Sequence, residues 1–414
     1  MAERPTRLAV ELHGEVVAHL GERRRQGPVE LSYTDLALDR WDAGLPLISC
    51  SLPVRPRPQN ATAFLDGLLP EGQTRYTLAA LRDLPASDTY GLLASYGRDI
   101  AGALVIYDPE SDPARREPHA VDYTTFGELA AAISSLPEQP LGTHDDSELS
   151  LAGIQEKLLL VATSSATGWG RPAGGLPSTH ILKPDPLAHP GVVAREAEAL
   201  QLAHAVGLTT IDPQLLDLDG RPCLVVDRYD RDVDADGAVH RLHQEDLLQA
   251  VGGDPAAHHG RAKYQEHGGP GFGDAASLLL ERAVDPDAEL RKLAGAMVFT
   301  VLIGNSDAHA KNLSLLLDPP GTLRLAPLYD TVPTMLFPKL KVRCAMWVGG
   351  VHRSLEDVTF DAMVREMVGR HAWKLSERRA VELVDEWVDA IVSAADDATP
   401  TGAYVRRRAE RLVT

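Results

Sequence analysis

The sequence predicts an α+β fold, and three patterns carry that expectation. Between residues 150 and 235 the order is strand, strand, helix, strand, strand rather than a regular βαβ repeat. Beyond Leu242 the pattern turns helical, and ahead of residue 108 lies a small mixed unit of its own. With 414 residues, 44% of them hydrophobic, the chain can bury a sizeable core in two or three packed units.

Taken in order, RLAVELHGEVVA (7–18) alternates as a small hairpin turned at His13-Gly14, and Leu45 to Leu52 reads as an extended segment before PVRPRP. Ala61 to Leu69 and Asp88 to Ala94 have helical spacing, and AGALVIYD is strand-like, so a first subdomain is expected over 1–108. A connecting segment, 109–149, holds a turn-rich stretch to Arg116 and a helix from Phe126 to Ile133. LLLVAT and THILKP are strands, with Ser164 to Pro177 as the turn that makes them a hairpin. Gly191 to Val206 is a helix, and IDPQLLDLDGRPCLVVDRYD gives two strands turned at Asp219-Gly220, closing a mixed-sheet lobe at 150–235. The lobe at 236–398 should hold helices at His243–Val251, Asp274–Ala283, Ala288–Ile303, Thr359–Val368 and Ser376–Ala395. In the last of these, Ala380, Val384, Trp387, Val388 and Ile391 share one face. One hairpin interrupts the helices, joining Leu313–Leu317 to Leu323–Leu328 through DPPG, and 399–414 reads as a tail.

Forty-one basic and fifty-nine acidic residues leave a formal charge of −18, which argues against general attraction to nucleic acid or an anionic membrane. Any anionic ligand must therefore be met by local cations or backbone N–H groups. Cys50, Cys223 and Cys344 form no CxxC pair, which argues against a disulfide framework or a cysteine zinc site. No apolar signal core opens the chain, and its longest apolar run, Leu293 to Gly304, is short of the roughly 20 residues that span a bilayer. A cytoplasmic setting is the expectation.

NSDAHAKN (305–312) comes directly after that apolar run. Asp307 and Asn312 stand five apart on a loop, a strand begins at Leu313, and the returning strand ends in Tyr329-Asp330. Antiparallel pairing should bring Asn312 and Asp330 together, two oxygen-bearing side chains suited to Mg²⁺ with nucleotide phosphate. Phosphoryl transfer needs that set: Asp307 as base toward an acceptor hydroxyl, Asn312 and Asp330 as metal ligands. The spacing is that of the catalytic-loop Asp and Asn of protein kinases, although HRD is absent. Local hydrogen bonding also places Asp and Asn at caps and turns, so the spacing is weak evidence without the hairpin. His309 suits either phosphate contact or a structural role in the loop, and Lys311 either phosphate neutralisation or solvent exposure.

A phosphate site is expected on the other side. Lys183 ends THILK and is placed to meet α/β-phosphates, its direction fixed by Glu196 or Glu198 on the next helix, with Glu196 preferred. Its bland alternative is an edge-strand lysine in a surface pair of little worth. SLAGIQEK carries Ser150, Ala152, Gly153, Gln155, Glu156 and Lys157, and Gly153 permits close approach of backbone N–H groups to phosphate oxygens. The loop lacks the Walker A pattern, and no GxGxxG comes after a strand. Ser150 is itself a phosphate acceptor if the loop swings out. In a two-lobed kinase LVVDRYDR would stand at the adenine hinge, with Asp227 and Tyr229 as the candidates to line it; the alternative is a strand end followed by a solvated Asp-Arg pair. His258, His259 and His267 with Glu266 suggest a metal, yet KYQEHGGPGF reads as a flexible glycine-rich loop rather than a zinc cage.

These blocks resemble the HipA-like toxin kinases. SLAGIQEK, THILKP, LVVDRYDR, HQEDLLQ, KYQEHGGPG, IGNSDAHAKNLS and LAPLYD occur in the family's order, after FLDGLLPEG and YGRDIAGAL, so the likeness runs from about residue 7 to about residue 395. The resemblance implies a two-lobed fold related to protein and phosphoinositide kinases, with an added N-terminal subdomain and a helical C-terminal lobe. It implies ATP- and Mg²⁺-dependent serine/threonine phosphorylation, with Asp307 as base, Asn312 and Asp330 on the metal, Lys183 on ATP, and Ser150 as an autophosphorylated serine that switches the kinase off. It also implies a HipB-like helix-turn-helix antitoxin that carries the operator DNA contact, and a protein target such as glutamyl-tRNA synthetase or another aminoacyl-tRNA synthetase. A small-molecule or lipid kinase of the same fold, and a degenerate kinase fold serving as a corepressor, are the alternatives.

Overall fold

The computed structural model describes residues 4–110, 117–142, 151–152, 155–318, 321–340, 343–368 and 373–412. They divide into two compact units: the first runs to Pro184 and resumes over Leu216–Gln244, and the second holds Asp185–Leu215 and the chain from Glu245 onward.

In the first unit the opening hairpin, Leu8–Leu12 with Glu15–Glu22, turns where expected, at His13 and Gly14 with φ of 51° and 84°. It grows into a five-stranded sheet ordered Gln59–Asn60, Val29–Tyr33, Glu15–Glu22, Leu8–Leu12, Leu104–Tyr107. The segment expected to be extended at Leu45–Leu52 is irregular instead. Leu47, Ile48 and Leu52 bury themselves in the core between Pro46 and Pro53, and burial rather than strand pairing fixes their path. The helix over Thr62–Gly67 and the one over Thr89–Tyr96, capped by Asp88, match expectation; the helix Gly72–Ala80 was not foreseen.

A second sheet has six strands, ordered Gln214–Leu218, Arg221–Asp227, His180–Pro184, Leu158–Ala162, Trp169–Ala173, His119–Asp122. Leu158–Ala162 and His180–Pro184 do pair, Leu159 opposite Ile181, yet the stretch between them is more than a turn. Trp169–Ala173 is a strand on the other side of Leu158–Ala162, with Trp169 buried in the same cluster as Leu160 and Leu182. The Asp219-Gly220 turn is as expected, both residues having positive φ.

The same unit buries a charge cluster. Asp99 accepts from Arg231 Nη2 at 2.9 Å and from the Ser178 N–H at 2.8 Å, and pairs with Arg228 at 3.5 Å. Asp230 accepts from Arg228 at 2.9 Å and from the Gly102 N–H at 2.7 Å. Both arginines also donate to the Ile100 carbonyl. YGRDIAG and LVVDRYDR are thus one structure, and the Asp-Arg pair after the strand is buried, not solvated. Beside it His243 donates from Nε2 to the Ile48 carbonyl and accepts at Nδ1 from the Ala103 N–H.

Burial pushes the His243 imidazole down to about 4, with His13 acting in the same direction and the Ile48 carbonyl and Asp230 opposing. A histidine with its folded pKa below its unfolded value contributes stability that is complete above about pH 6.5 and is lost as pH falls toward 4. About 3 kcal/mol should disappear from the first unit over that window by linkage. Urea unfolding at stepped pH checks this: His243→Asn, which keeps a donor and an acceptor without titrating, should flatten the dependence, and an unchanged slope would refute the assignment.

The second unit is built on the helix Pro286–Ile303, capped by Asp285 and packed against Glu377–Ala394. Their close approach depends on Gly295: a Cβ there would lie 2.5 Å from the Trp387 ring, whose Nε1 donates to the Arg291 carbonyl. Phe272–Arg282, Phe360–Val368 and Val192–Ala205 complete the expected helices. His243–Val251 is instead a short strand, Gln244–Asp246, leading into the helical turn Leu247–Ala250. The expected tail is a helix, Pro400–Glu410, capped by Thr399, with Val405, Arg408 and Ala409 buried. The hairpin is present as Ser314–Asp318 with Thr322–Leu325. Among the described residues no helix is long and apolar enough to cross a membrane.

Candidate active site

The apolar helix Pro286–Ile303 stops because Gly304 takes φ 72°, and a side chain there would press on Tyr404 and Met335. Residues 305–312 then form a tightly bonded loop. The Ser306 N–H donates to Thr334 Oγ1 at 2.8 Å, and Thr334 Oγ1 donates to the Gly304 carbonyl. The Asn305 side chain accepts from the Asp307 N–H at 3.2 Å and reaches the Asp330 carbonyl at 3.5 Å. Asn312 Nδ2 donates to the Asp307 carbonyl at 3.3 Å.

The hairpin supplies the rest. Leu315 lies opposite Leu325, and the Ala326 N–H donates to the Ser314 carbonyl, so the returning strand passes Asn312 as it reaches Tyr329. There the Tyr329 hydroxyl bonds the Lys311 carbonyl and Ser314 Oγ, each at 2.7 Å. Asp330 adopts φ 55°, a left-handed conformation that aspartate tolerates better than most residues. Asn305, Asn312, Tyr329 and Thr331 line one small pocket. Asn305 thus ties the backbone of Asp307 to that of Asp330, and Asn312 bonds the Asp307 carbonyl, so the three loop positions share one hydrogen-bonded frame.

His309 is buried, and burial pushes its imidazole down to about 3, reinforced by Lys263 and Lys311 and opposed by Asp330. It is neutral at physiological pH, and its Nδ1 has no hydrogen-bond partner among the described residues. Lys311 is buried too, its Nζ donating to Asp246 Oδ2 at 3.1 Å. Asp246 caps Leu247–Ala250 in a reciprocal capping box with Gln249, so the lysine fastens the loop to HQEDLLQ. Asn305, Tyr264 and Asp246 were not singled out from sequence; each lies inside one of the family's sequence blocks, which was the available signal.

Among the described residues no three His, Cys, Asp or Glu side chains gather as a metal cage. Two protein oxygens plus phosphate is nonetheless the usual provision for Mg²⁺, which keeps waters and borrows substrate oxygens. The donor set at Asn312 and Asp330 fits that provision.

In the first unit Lys183 is buried on its strand opposite Leu224. Lys157 Nζ donates to the Ala152 carbonyl at 2.6 Å, and Gln155 Nε2 is buried without a hydrogen-bond partner among the described residues, a donor suited to an anion. Ser150 and Gly153 lie outside the described residues. Asp227 pairs with His180 in the sheet, and the Tyr229 hydroxyl donates to Gln244. In the second unit Glu196 is buried on Val192–Ala205, whereas Glu198 accepts from both the N–H and the hydroxyl of Thr401. His258 and His267 stack at 6.2 Å, and the KYQEH segment, expected to be flexible, is pinned by backbone bonds and buries Lys263.

A sheet-bearing unit and a helical unit that carries Asp307, Asn312 and Asp330 define a two-lobed, kinase-like α+β protein. The HipA-like C-terminal domain family matches residues 149–395 and the HipA N-terminal domain family residues 8–107; the chain belongs to the HipA-like toxin family of HipBA toxin–antitoxin systems. It is similar to the putative kinase Y4mE of Sinorhizobium fredii, 36% identical over 386 residues, 91% of this chain and 89% of that protein. It is also similar to the serine/threonine-protein kinase toxin HipA of Shewanella oneidensis, 26% identical over 361 residues, 82% and 78% of the two chains. The solved complex of Shewanella oneidensis MR-1 HipA with HipB and operator DNA has the same fold, with a TM-score of 0.77 at 22% identity, covering 98% of this chain and 96% of that one.

Proposed function

We propose that this chain is a serine/threonine protein kinase that uses ATP and Mg²⁺ and acts as the toxin of a toxin–antitoxin pair. What supports the reading is a loop in which Asn305 bonds both the Asp307 N–H and the Asp330 carbonyl and Asn312 bonds the Asp307 carbonyl, beside one hairpin. Asp307 takes the proton of the acceptor hydroxyl, Asn312 and Asp330 hold the metal, and His309, neutral and buried, faces the transferring phosphate. Lys183, Gln155, Lys157 and the loop from Ala152 through Gly153 hold the phosphates. Asp227 and Tyr229 line the adenine. Bound Mg²⁺ spreads the phosphate charge during transfer. Lys311 acts on the loop's shape through Asp246.

Ser150 is the autophosphorylation site, a translation component such as an aminoacyl-tRNA synthetase the target, and a HipB-like antitoxin the partner that carries operator DNA. A relative named as a serine/threonine-protein kinase toxin and a solved HipA complex with HipB and operator DNA support the kinase and antitoxin parts of this reading. The experiment is ATP titration of the purified full chain with and without Mg²⁺, beside phosphopeptide mapping. Wild type should bind nucleotide in a metal-dependent way and label Ser150. Asp330→Asn should lose at least about ten-fold in metal-dependent affinity and lose labelling, since a neutral amide replaces a carboxylate on a hard cation. Equal binding with and without metal would reject the kinase reading.

A further inference from the structure

We propose that Tyr264 is a positioning residue that fixes the Asp307 carboxylate for proton transfer; the inference rests on the reading of Asp307 as the base. The Tyr264 hydroxyl donates to Asp307 Oδ1 at 3.0 Å. A carboxylate on a short side chain turns easily about its last torsion, whose energy well is broad. A fixed donor on one oxygen selects one rotation, and a bond to a charged acceptor is stronger than a neutral one.

The donor is fixed. Its ring stands edge-on to His309, centroids 5.3 Å apart at 84°, with Lys263 Nζ 5.9 Å from the ring centroid. Its backbone belongs to a frame tied to the catalytic loop at both ends. On one side the Ala310 N–H donates to the Lys263 carbonyl at 3.1 Å. On the other the Gln265 N–H donates to the Ala345 carbonyl at 2.9 Å, and the Ala345 N–H to the Ser306 carbonyl at 3.0 Å. Gln265 Oε1 also accepts from the Trp347 N–H at 2.6 Å. Residues 306 to 310 are thereby held from two directions by the segment that presents the phenol. The glycine-rich stretch behind it serves this packing, because a Cβ on Gly269 would lie 2.3 Å from the Ala262 carbonyl oxygen. KYQEHGGPG thus places one hydroxyl on one carboxylate.

The test compares wild type, Tyr264→Phe, Asp307→Asn and the double variant as full chains, following phosphate incorporation from Mg-ATP into the chain itself by intact mass. Tyr264→Phe should lower the maximal rate about ten-fold, the cost of a small misplacement of a reacting group, with the KM for ATP within about two-fold. In the Asp307→Asn background the same change should add nothing, because both act on one proton transfer. A wild-type rate in Tyr264→Phe beside a crippled Asp307→Asn overturns the role of Tyr264 alone. Equal rates in wild type and Asp307→Asn overturn the base assignment instead. A rate loss with a matching rise in KM, or a full further loss in the double variant, also overturns positioning. Should phenylalanine lower the melting temperature, Tyr264→His, with a ring N–H in place of the hydroxyl, decides: a rate above phenylalanine's supports the proposal, and one no better overturns it.

Discussion

Asp99→Ala is expected to destabilise the first unit by about 3–5 kcal/mol, the range for removing one member of a buried ion cluster. Burial by itself would raise the Asp99 carboxyl, but Arg228, Arg231 and Arg241 hold it well below the usual carboxylate range, and the Ser178 N–H adds to their effect. Removing it leaves Arg228 and Arg231 on Asp230 alone and takes from Arg241 its carboxylate at 3.9 Å, at a site where only 4% of Asp99 itself is exposed. Arg231 Nε is already buried without a hydrogen-bond partner among the described residues, so the site has no spare acceptor to absorb the change. Chemical unfolding of the first unit checks this, with the exposed Asp232→Ala as control, expected within about 0.5 kcal/mol of wild type. A loss below about 1 kcal/mol for Asp99→Ala would mean that water relieves the cluster.

The cluster also shows what a sequence hides. Asp99 and Arg228 stand 129 positions apart, and no periodicity links them. Tight turns were legible because they depend on local backbone chemistry: His13-Gly14 and Asp219-Gly220 each need a positive φ that few residues accept. The hairpin from Ser314 to Leu325 was legible for a similar reason, with a turn motif between aliphatic runs. Trp169–Ala173 was missed because WGRPA carries glycine and proline where a strand usually has β-branched residues. The helix Pro400–Glu410 was missed because its arginines mask the small buried stripe, one of them, Arg408, being itself buried and donating to the Leu355 carbonyl. Lys311 and Tyr264 lay in the family's blocks, but their partners, Asp246 and Asp307, are 65 and 43 residues away. Motif order pointed to the candidate site, and only the fold shows which residues pair within it.

Asp307→Asn should reduce phosphate transfer by about 10²–10⁴-fold, the usual worth of a positioned general base, or about 3–5 kcal/mol of barrier. The substitution keeps size and shape but removes the negative charge and, with it, the ability to take a proton. The loop should hold its form, since Asn305 binds the Asp307 N–H and Asn312 binds its carbonyl, and neither bond involves the altered side chain. Metal-dependent ATP affinity should stay within about three-fold of wild type, because the ligands assigned to Mg²⁺ are Asn312 and Asp330. Asp330→Asn should do the opposite, losing affinity and transfer together. Titration of Mg-ATP by fluorescence, paired with single-turnover transfer on the same preparations, separates the two. If Asp307→Asn lost metal-dependent affinity as strongly as Asp330→Asn does, the aspartate after the apolar helix would be a metal ligand, and the acceptor hydroxyl would need another base.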